Sequence, residues 1–442
     1  MPAPLAQRLA ELLGPRYVLS GVECSPYVLE GRTPEAVVFP GSRDEVAAVL
    51  GIAAEASMPV IPWGGGTRMA VGAPPARAGL VLGLSRLNRL MEHEPGDLTA
   101  TVEAGITLAA LQAELGKRGQ WLSLDPAHAD RATIGGILAS NAAGPRRHLY
   151  GTARDLLIGV GLVLADGSFV KGGGKVVKNV AGYDVPKLAI GSFGTLGVIV
   201  DATVKLRPVP DVDHMVVTPL DRLADAGPLL RAIMASDLIP SALDVADAAA
   251  LSAVRLAGVG GEGTEGGALL IGFDGLAEQV QWQEAELARL VGRPGAVLDA
   301  AARDDAWRAL GDLARRAFAH ATAVMCWSVL PTQVAEAMVD GRAAAERHKL
   351  GAAFAAHAGV GVVFAVLGEG GSADDVTATL DDWRRLVRER GGHAALEWAP
   401  LAVKERVAVW DPPGPTHRIM QRLKAELDPR GILNPGRFVG GI

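Results

Sequence analysis

Three glycine-rich segments are where this sequence could do chemistry. The first, Trp63-Gly64-Gly65-Gly66-Thr67-Arg68, follows a short apolar stretch, Pro59-Val60-Ile61-Pro62. Consecutive glycines let backbone N–H groups converge on one point, a nest suited to a pyrophosphate. No Gly-Lys-Ser/Thr follows, so the P-loop pattern fails, and contiguous Gly64, Gly65 and Gly66 do not match the spaced glycines of a Rossmann turn. Taken alone, the loop reads equally as a plain surface turn. The second segment holds Pro126, then Thr133, Gly135 and Gly136, then Ser140, Asn141 and Gly144, with Arg146, Arg147, Tyr150 and Gly151 close behind. Gly135 and Gly136 allow backbone to approach a flat ligand, or a helix to pack closely, while Ser140 and Asn141 offer hydrogen-bonding tips. The third runs from Gly172-Gly173-Gly174 through Lys178, Tyr183 and Asp184 to Gly191-Ser192-Phe193-Gly194. So many glycines do not serve helix or strand stability; they imply irregular backbone wrapped around something.

The elements that must position these segments follow from periodicity. Ala36 to Pro40 reads as a strand, Asp44 to Ala56 as a helix, and Pro59 to Pro62 as a strand running into the first glycine loop. Leu80 to Leu82, Leu98 to Val102 and Gly197 to Leu206 are strand-like, and Thr107 caps a helix reaching Lys117. Leu156 to Leu164 and Phe169-Val170 flank Asp166-Gly167, a hairpin signal. Two prolines in Arg207-Pro208-Val209-Pro210 break either kind of element and mark a boundary. Beyond it, the strand-like runs Met215 to Val217, Ala268 to Phe273 and Val360 to Val366 alternate with helical patterns, an α+β domain. The alanine-rich stretches Ala242 to Ala253 and Ala343 to Ala356 read as helix.

The bulk numbers set limits. A chain of 442 residues exceeds one ordinary core. Its net charge of −6, with both signs interspersed, argues against a nucleic-acid surface. The two cysteines, Cys24 and Cys326, share no C-x-x-C pattern and read as free thiols in a reducing compartment. An iron–sulfur cluster needs about four cysteine ligands, so any cluster must sit on another chain. Neither a signal peptide nor a membrane-spanning run is expected, which places the chain in the cytoplasm.

Together the three segments resemble the FAD-binding domain of the vanillyl-alcohol oxidase superfamily, the PCMH type, over approximately Pro34 to Pro208. The tail Leu427-Asp428-Pro429-Arg430-Gly431-Ile432-Leu433-Asn434-Pro435-Gly436-Arg437-Phe438 resembles that superfamily's C-terminal return towards the flavin. The resemblance implies an N-terminal helical segment over 1–33, a two-subdomain FAD-binding domain over 34–209, an α+β cap domain over 210–423 and a return segment over 424–442. It also implies that Gly64 to Thr67, between Trp63 and Arg68, hold the pyrophosphate. Pro126, Thr133, Gly136, Ser140, Gly144 and Ile199 would line the path of the adenosine and flavin. Gly135, Asn141, Tyr150, Gly151, Lys178, Tyr183 and Asn434 would complete the cofactor site. Some members tether FAD through a histidine just after the first loop. Arg68-Met69 stands there, which implies non-covalent FAD.

Lys175 to Asp184 and the ending Asn434 to Ile442 look most like the FAD-binding subunits of bacterial glycolate oxidase. Such subunits work beside a second FAD-binding subunit and an iron–sulfur subunit, in a complex that oxidises a small 2-hydroxy acid to a 2-oxo acid. Through these partners the chain would sit peripherally at the inner face of the membrane. Catalytic hydroxy-acid dehydrogenases of this superfamily carry His-x-Gly-Asp-Gly-Asn-x-His. The counterpart here is His357-Ala358-Gly359-Val360-Gly361-Val362-Val363-Phe364, with three polar positions turned apolar. If Val360, Val362 and Phe364 share one strand face, that face is packed core. His357, the candidate base, then reads as a satisfied buried histidine, and the chain takes an electron-transfer or supporting role. In the alternative, the chain is a self-sufficient dehydrogenase using His393, Glu397, Lys404 and Arg406, or a clamp of Arg315 and Arg316.

Overall fold

The computed structural model describes residues 5–175, 182–254, 266–312, 321–368 and 370–442. They form two compact units. The first comprises Met1–Ala142, Thr152–Val209 and Pro412–Ile442; the second comprises Ala143–Gly151 and Pro210–Asp411.

Among the described residues, the first unit contains two larger sheets and a two-stranded pair, Gln120–Trp121 with Arg207–Pro208. One has four strands in the order Val18–Ser20, Ala36–Val38, Leu80–Gly83, Val60–Trp63, the last three parallel. The strand Val18–Ser20 lies in the segment expected to be helical, and pairs antiparallel with Ala36–Val38. The helix Arg43–Glu55 starts where Ser42 accepts a hydrogen bond from the Glu45 amide, and buries Val46, Val49, Leu50 and Ala53 against this sheet. The other sheet is antiparallel, in the order Leu90–Glu94, Thr99–Glu103, Val198–Lys205, Leu157–Val163, Phe169–Gly173. Its last two strands form the expected hairpin, with Gly167 at φ 85° and Asp166 Oδ1 accepting from the Ser168 amide. Thr107 caps the helix Leu108–Gly116, as its sequence position suggests.

The second unit is built on an eight-stranded antiparallel sheet. The order is Ala296–Leu298, Val212–Leu220, Gly267–Gly275, Ala242–Ala246, Ala352–His357, Val362–Leu367, Ala323–Ser328, His393–Trp398. Two sequence expectations are corrected here. Ala242–Ala246 and Ala352–His357 are central strands, and helix begins only at Ala248 after the first of them. Burial among neighbouring strands overrides the helix preference of alanine at these positions. Likewise Val360 is not on a strand: Ala358–Val360 is a 3-10 turn, and Gly361, at φ 75°, completes the reversal into Val362–Leu367. Val362 and Phe364 are half-buried, whereas Val363 and Ala365 face the core. The single packed face of Val360, Val362 and Phe364 therefore does not exist, because the turn removes Val360 from the strand.

Candidate functional site: a cofactor cleft and a buried histidine

The first unit holds a cleft. Its walls are Trp63 to Met69, then Thr133, Gly135, Gly136 and Ser140, then Phe193, Gly194 and Ile199, and finally Asn434 and Arg437. The strand Val60–Trp63 delivers the glycine loop to the cleft edge, and the helix Ile134–Ser140 delivers the second segment. Thr133 starts that helix by accepting from the Gly136 amide at 3.3 Å. The glycines divide by function. A Cβ on Gly65 would overlap the carbonyl oxygen of Arg131, so Gly65 is required by chain packing beneath the loop. A Cβ on Gly136 would meet only Thr133 Oγ1, at 3.2 Å, among its neighbours, so this glycine keeps the cleft itself open.

The C-terminal segment closes the wall. Leu433 lies beside Val60; the Val60 amide donates to Ile432 O at 2.7 Å, and the Asn434 amide donates back to Val60 O at 2.8 Å. Lys424 Nζ ties the approach by donating to Thr195 O, Leu433 O and Asp428 Oδ2 at 2.8, 2.7 and 2.6 Å. Burial pulls the lysine below its usual range, an effect that Asp428 opposes. Arg437 donates to Met69 O and Val71 O at 2.7 and 2.5 Å, and burial pulls its guanidinium down to about 10. A buried cation, a glycine loop and apolar walls fit a molecule with a phosphate and flat rings. They fit FAD.

Of the residues expected around the cofactor, Trp63 to Arg68, Thr133, Gly135, Gly136, Ser140, Ile199 and Asn434 line this cleft. Pro126 is buried and Asn141 caps the helix at φ 49°; neither lines it. Tyr183 is 94% exposed. Lys178, and with it the Arg315–Arg316 clamp, lies outside the described residues. Gly144, Tyr150 and Gly151 belong to the second unit. There Tyr150 donates to Asp274 Oδ1 at 2.5 Å, and Arg146 bonds Asp213 at 2.5 Å and Asp274 at 3.3 Å. These charged contacts hold the nine-residue excursion on the sheet that carries Asp213 and Asp274.

The second unit also gathers polar groups around His357, which is 6% exposed. Its Nδ1 lies 3.0 Å from Oδ2 of Asp244, itself 3% exposed. A carboxylate only accepts, so the Nδ1–H of His357 donates to Asp244. Phe364 packs edge-on to the imidazole at 5.2 Å. His148, which the sequence reading did not single out, joins from the excursion: a Cβ on Gly359 would overlap its Nδ1. Burial lowers the His148 pKa, while Asp244 and the Gly359 backbone oppose that shift. No sequence signal pointed to His148, because it is far from His357 along the chain. The other candidates are dispersed: His393 is mostly exposed beside Asp411, Arg406 pairs with Asp374, and Lys404 is buried. Among the described residues, no group of His, Cys, Asp or Glu side chains is placed to hold a metal ion.

Comparisons with known proteins agree with this architecture. Residues 34–173 match the FAD binding domain family, and residues 209–438 match the C-terminal domain of FAD linked oxidases. The chain is 31% identical over 422 residues to glycolate oxidase subunit GlcD of Bacillus subtilis, covering 92% of this chain and 89% of that one. It is 30% identical to a D-lactate dehydrogenase of Archaeoglobus fulgidus, over 91% of each chain. Among solved structures, p-cresol methylhydroxylase superposes with a TM-score of 0.76 at 18% identity, covering 98% of this chain and 96% of that one. The fold is therefore a PCMH-type FAD-binding domain joined to an α+β C-terminal domain, and the chain belongs to the FAD-linked oxidases.

Proposed function

We propose that this chain binds one FAD non-covalently and serves in a complex that oxidises a small 2-hydroxy acid to the 2-oxo acid, in an electron-transfer or supporting role. The observation that carries the FAD reading is the cleft bounded by the glycine loop, Gly136 and the C-terminal wall. Among the described residues that line it there is no histidine, cysteine or tyrosine, which supports a non-covalent flavin. Bound FAD supplies a two-electron acceptor; the chain's own groups hold its phosphates and rings. The substrate class follows from relatives that act on glycolate and lactate. Val360, Val362 and Phe364 stand where catalytic relatives carry polar groups, which supports the supporting role. Two cysteines are too few for a cluster, so onward transfer to iron–sulfur requires a partner chain. A second FAD-binding subunit and an iron–sulfur subunit are the partners proposed.

One observation favours a second reading, in which the chain performs the oxidation itself. His357, oriented by Asp244 and neighboured by His148, has the arrangement of a proton acceptor. Anaerobic addition of glycolate or D-lactate to the purified chain separates the two. Flavin absorbance that stays constant until the partner chains are added supports the first reading. Bleaching in the isolated chain, lost in His357→Gln, supports the second. Flavin left on the polypeptide after acid precipitation would contradict non-covalent binding in either case.

A further inference from the structure

Asn434 is held more tightly than a wall residue needs to be. Its backbone adopts φ 44°, a left-handed conformation that asparagine tolerates better than most residues. Its amide donates to Val60 O at 2.8 Å, and its side-chain Nδ2 donates to Phe193 O at 2.6 Å. Phe193 is fixed in turn, at φ 51°, by its own amide donating to Ala139 O. Because the Phe193 carbonyl can only accept, the NH2 of Asn434 must face it. The orientation of the side-chain amide is thereby set, and Oδ1 is the atom left over. Asn434 is 6% exposed and lines the cleft, and its Oδ1 has no hydrogen-bond partner among the described residues. A buried acceptor without a donor is unfavourable, as is a left-handed residue that is not glycine, and the two coincide at one position.

We propose that Oδ1 of Asn434 accepts a hydrogen bond from an N–H group on one of the two ring systems of the bound FAD, making Asn434 a cofactor-reading residue. The inference rests on the FAD reading of the cleft. The pyrophosphate offers only acceptors, so it is not the partner. Oxidised FAD carries N–H donors at the imide of the isoalloxazine and at the exocyclic amine of the adenine, and Oδ1 complements either.

Binding to the full chain stripped of flavin tests this, read by quenching of flavin fluorescence with FAD, with FAD methylated at the imide nitrogen, and with the hypoxanthine analogue of FAD. Wild type should bind one analogue about tenfold more weakly than FAD, the effect of one lost hydrogen bond. The analogue affected identifies the ring. In Asn434→Gly, which accepts the positive φ, FAD and that analogue should bind alike. Asn434→Leu should give the same result where it folds. Equal affinity of wild type for all three flavins overturns the proposal, as does discrimination that persists in Asn434→Gly. Failure of wild type to quench FAD at all overturns the cleft reading beneath it, so the two failures are distinguishable.

Discussion

Nδ1 of His148 occupies the space into which a side chain on Gly359 would project. Gly359 belongs to the degenerate motif after His357, and His148 to the excursion Ala143–Gly151. The glycine is therefore explained by an imidazole distant in the chain. Gly359→Ala should destabilise the second unit by about 1–3 kcal/mol through overpacking. Adding His148→Ala should recover most of that loss. Urea unfolding of the two single variants and the double variant measures the coupling; strictly additive effects would remove the contact as the cause.

Gly136 and Gly65 should behave differently on substitution. Gly136→Leu should fill the cleft, giving a folded protein that purifies without flavin. Gly65→Asp should lose flavin too, but with a lowered melting temperature, because its side chain collides with the Arg131 backbone. The flavin-to-protein absorbance ratio, read beside circular dichroism, separates them. A fully yellow Gly136→Leu protein would move the cofactor elsewhere.

The turn after His357 makes a stability prediction. Val360→Asp should cost under about 1 kcal/mol, because Val360 is half-buried on a turn. Val363→Asp should cost about 3 kcal/mol or more, because Val363 is fully buried among sheet residues. Thermal melts of the two variants check the order, and a reversed order would restore the packed face expected from alternation.

His148 gives the second unit an acid limb. Its folded pKa lies below the ordinary histidine value of 6.5, with burial as the main cause. The unfolded chain therefore takes up the proton first. The stability contribution is fully present above about 6.5 and is lost as pH falls through the folded pKa. His148→Gln should flatten the loss of stability as pH falls below about 6.5. Asp244 opposes the shift, so Asp244→Asn should steepen it, provided His357 remains in place. Melting temperatures at half-unit pH steps give the comparison. A wild-type curve flat across this range would contradict the direction of the shift.

Local sequence determined a good deal about this protein. The loop Gly64 to Thr67, the hairpin at Asp166-Gly167, the cap at Thr107 and the strand before the first loop all express short-range backbone preferences. These preferences reach only a few residues, and so they survive reading in isolation. The cofactor class was legible for the same reason, since the glycine clusters and the C-terminal tail each carry their own signature.

Tertiary structure decided the rest. Asp244 and His357 are 113 residues apart, and neither has a neighbour in sequence that announces the other. Ala242–Ala246 became strand because its site lies deep in a sheet, where burial outweighs helix propensity. Gly65 and Gly359 owe their identity to a backbone carbonyl and an imidazole that only folding brings against them. Residues 143–151 join the second unit because Arg146 and Tyr150 meet Asp213 and Asp274 there. Each is a contact between distant residues, whose geometry no local periodicity encodes.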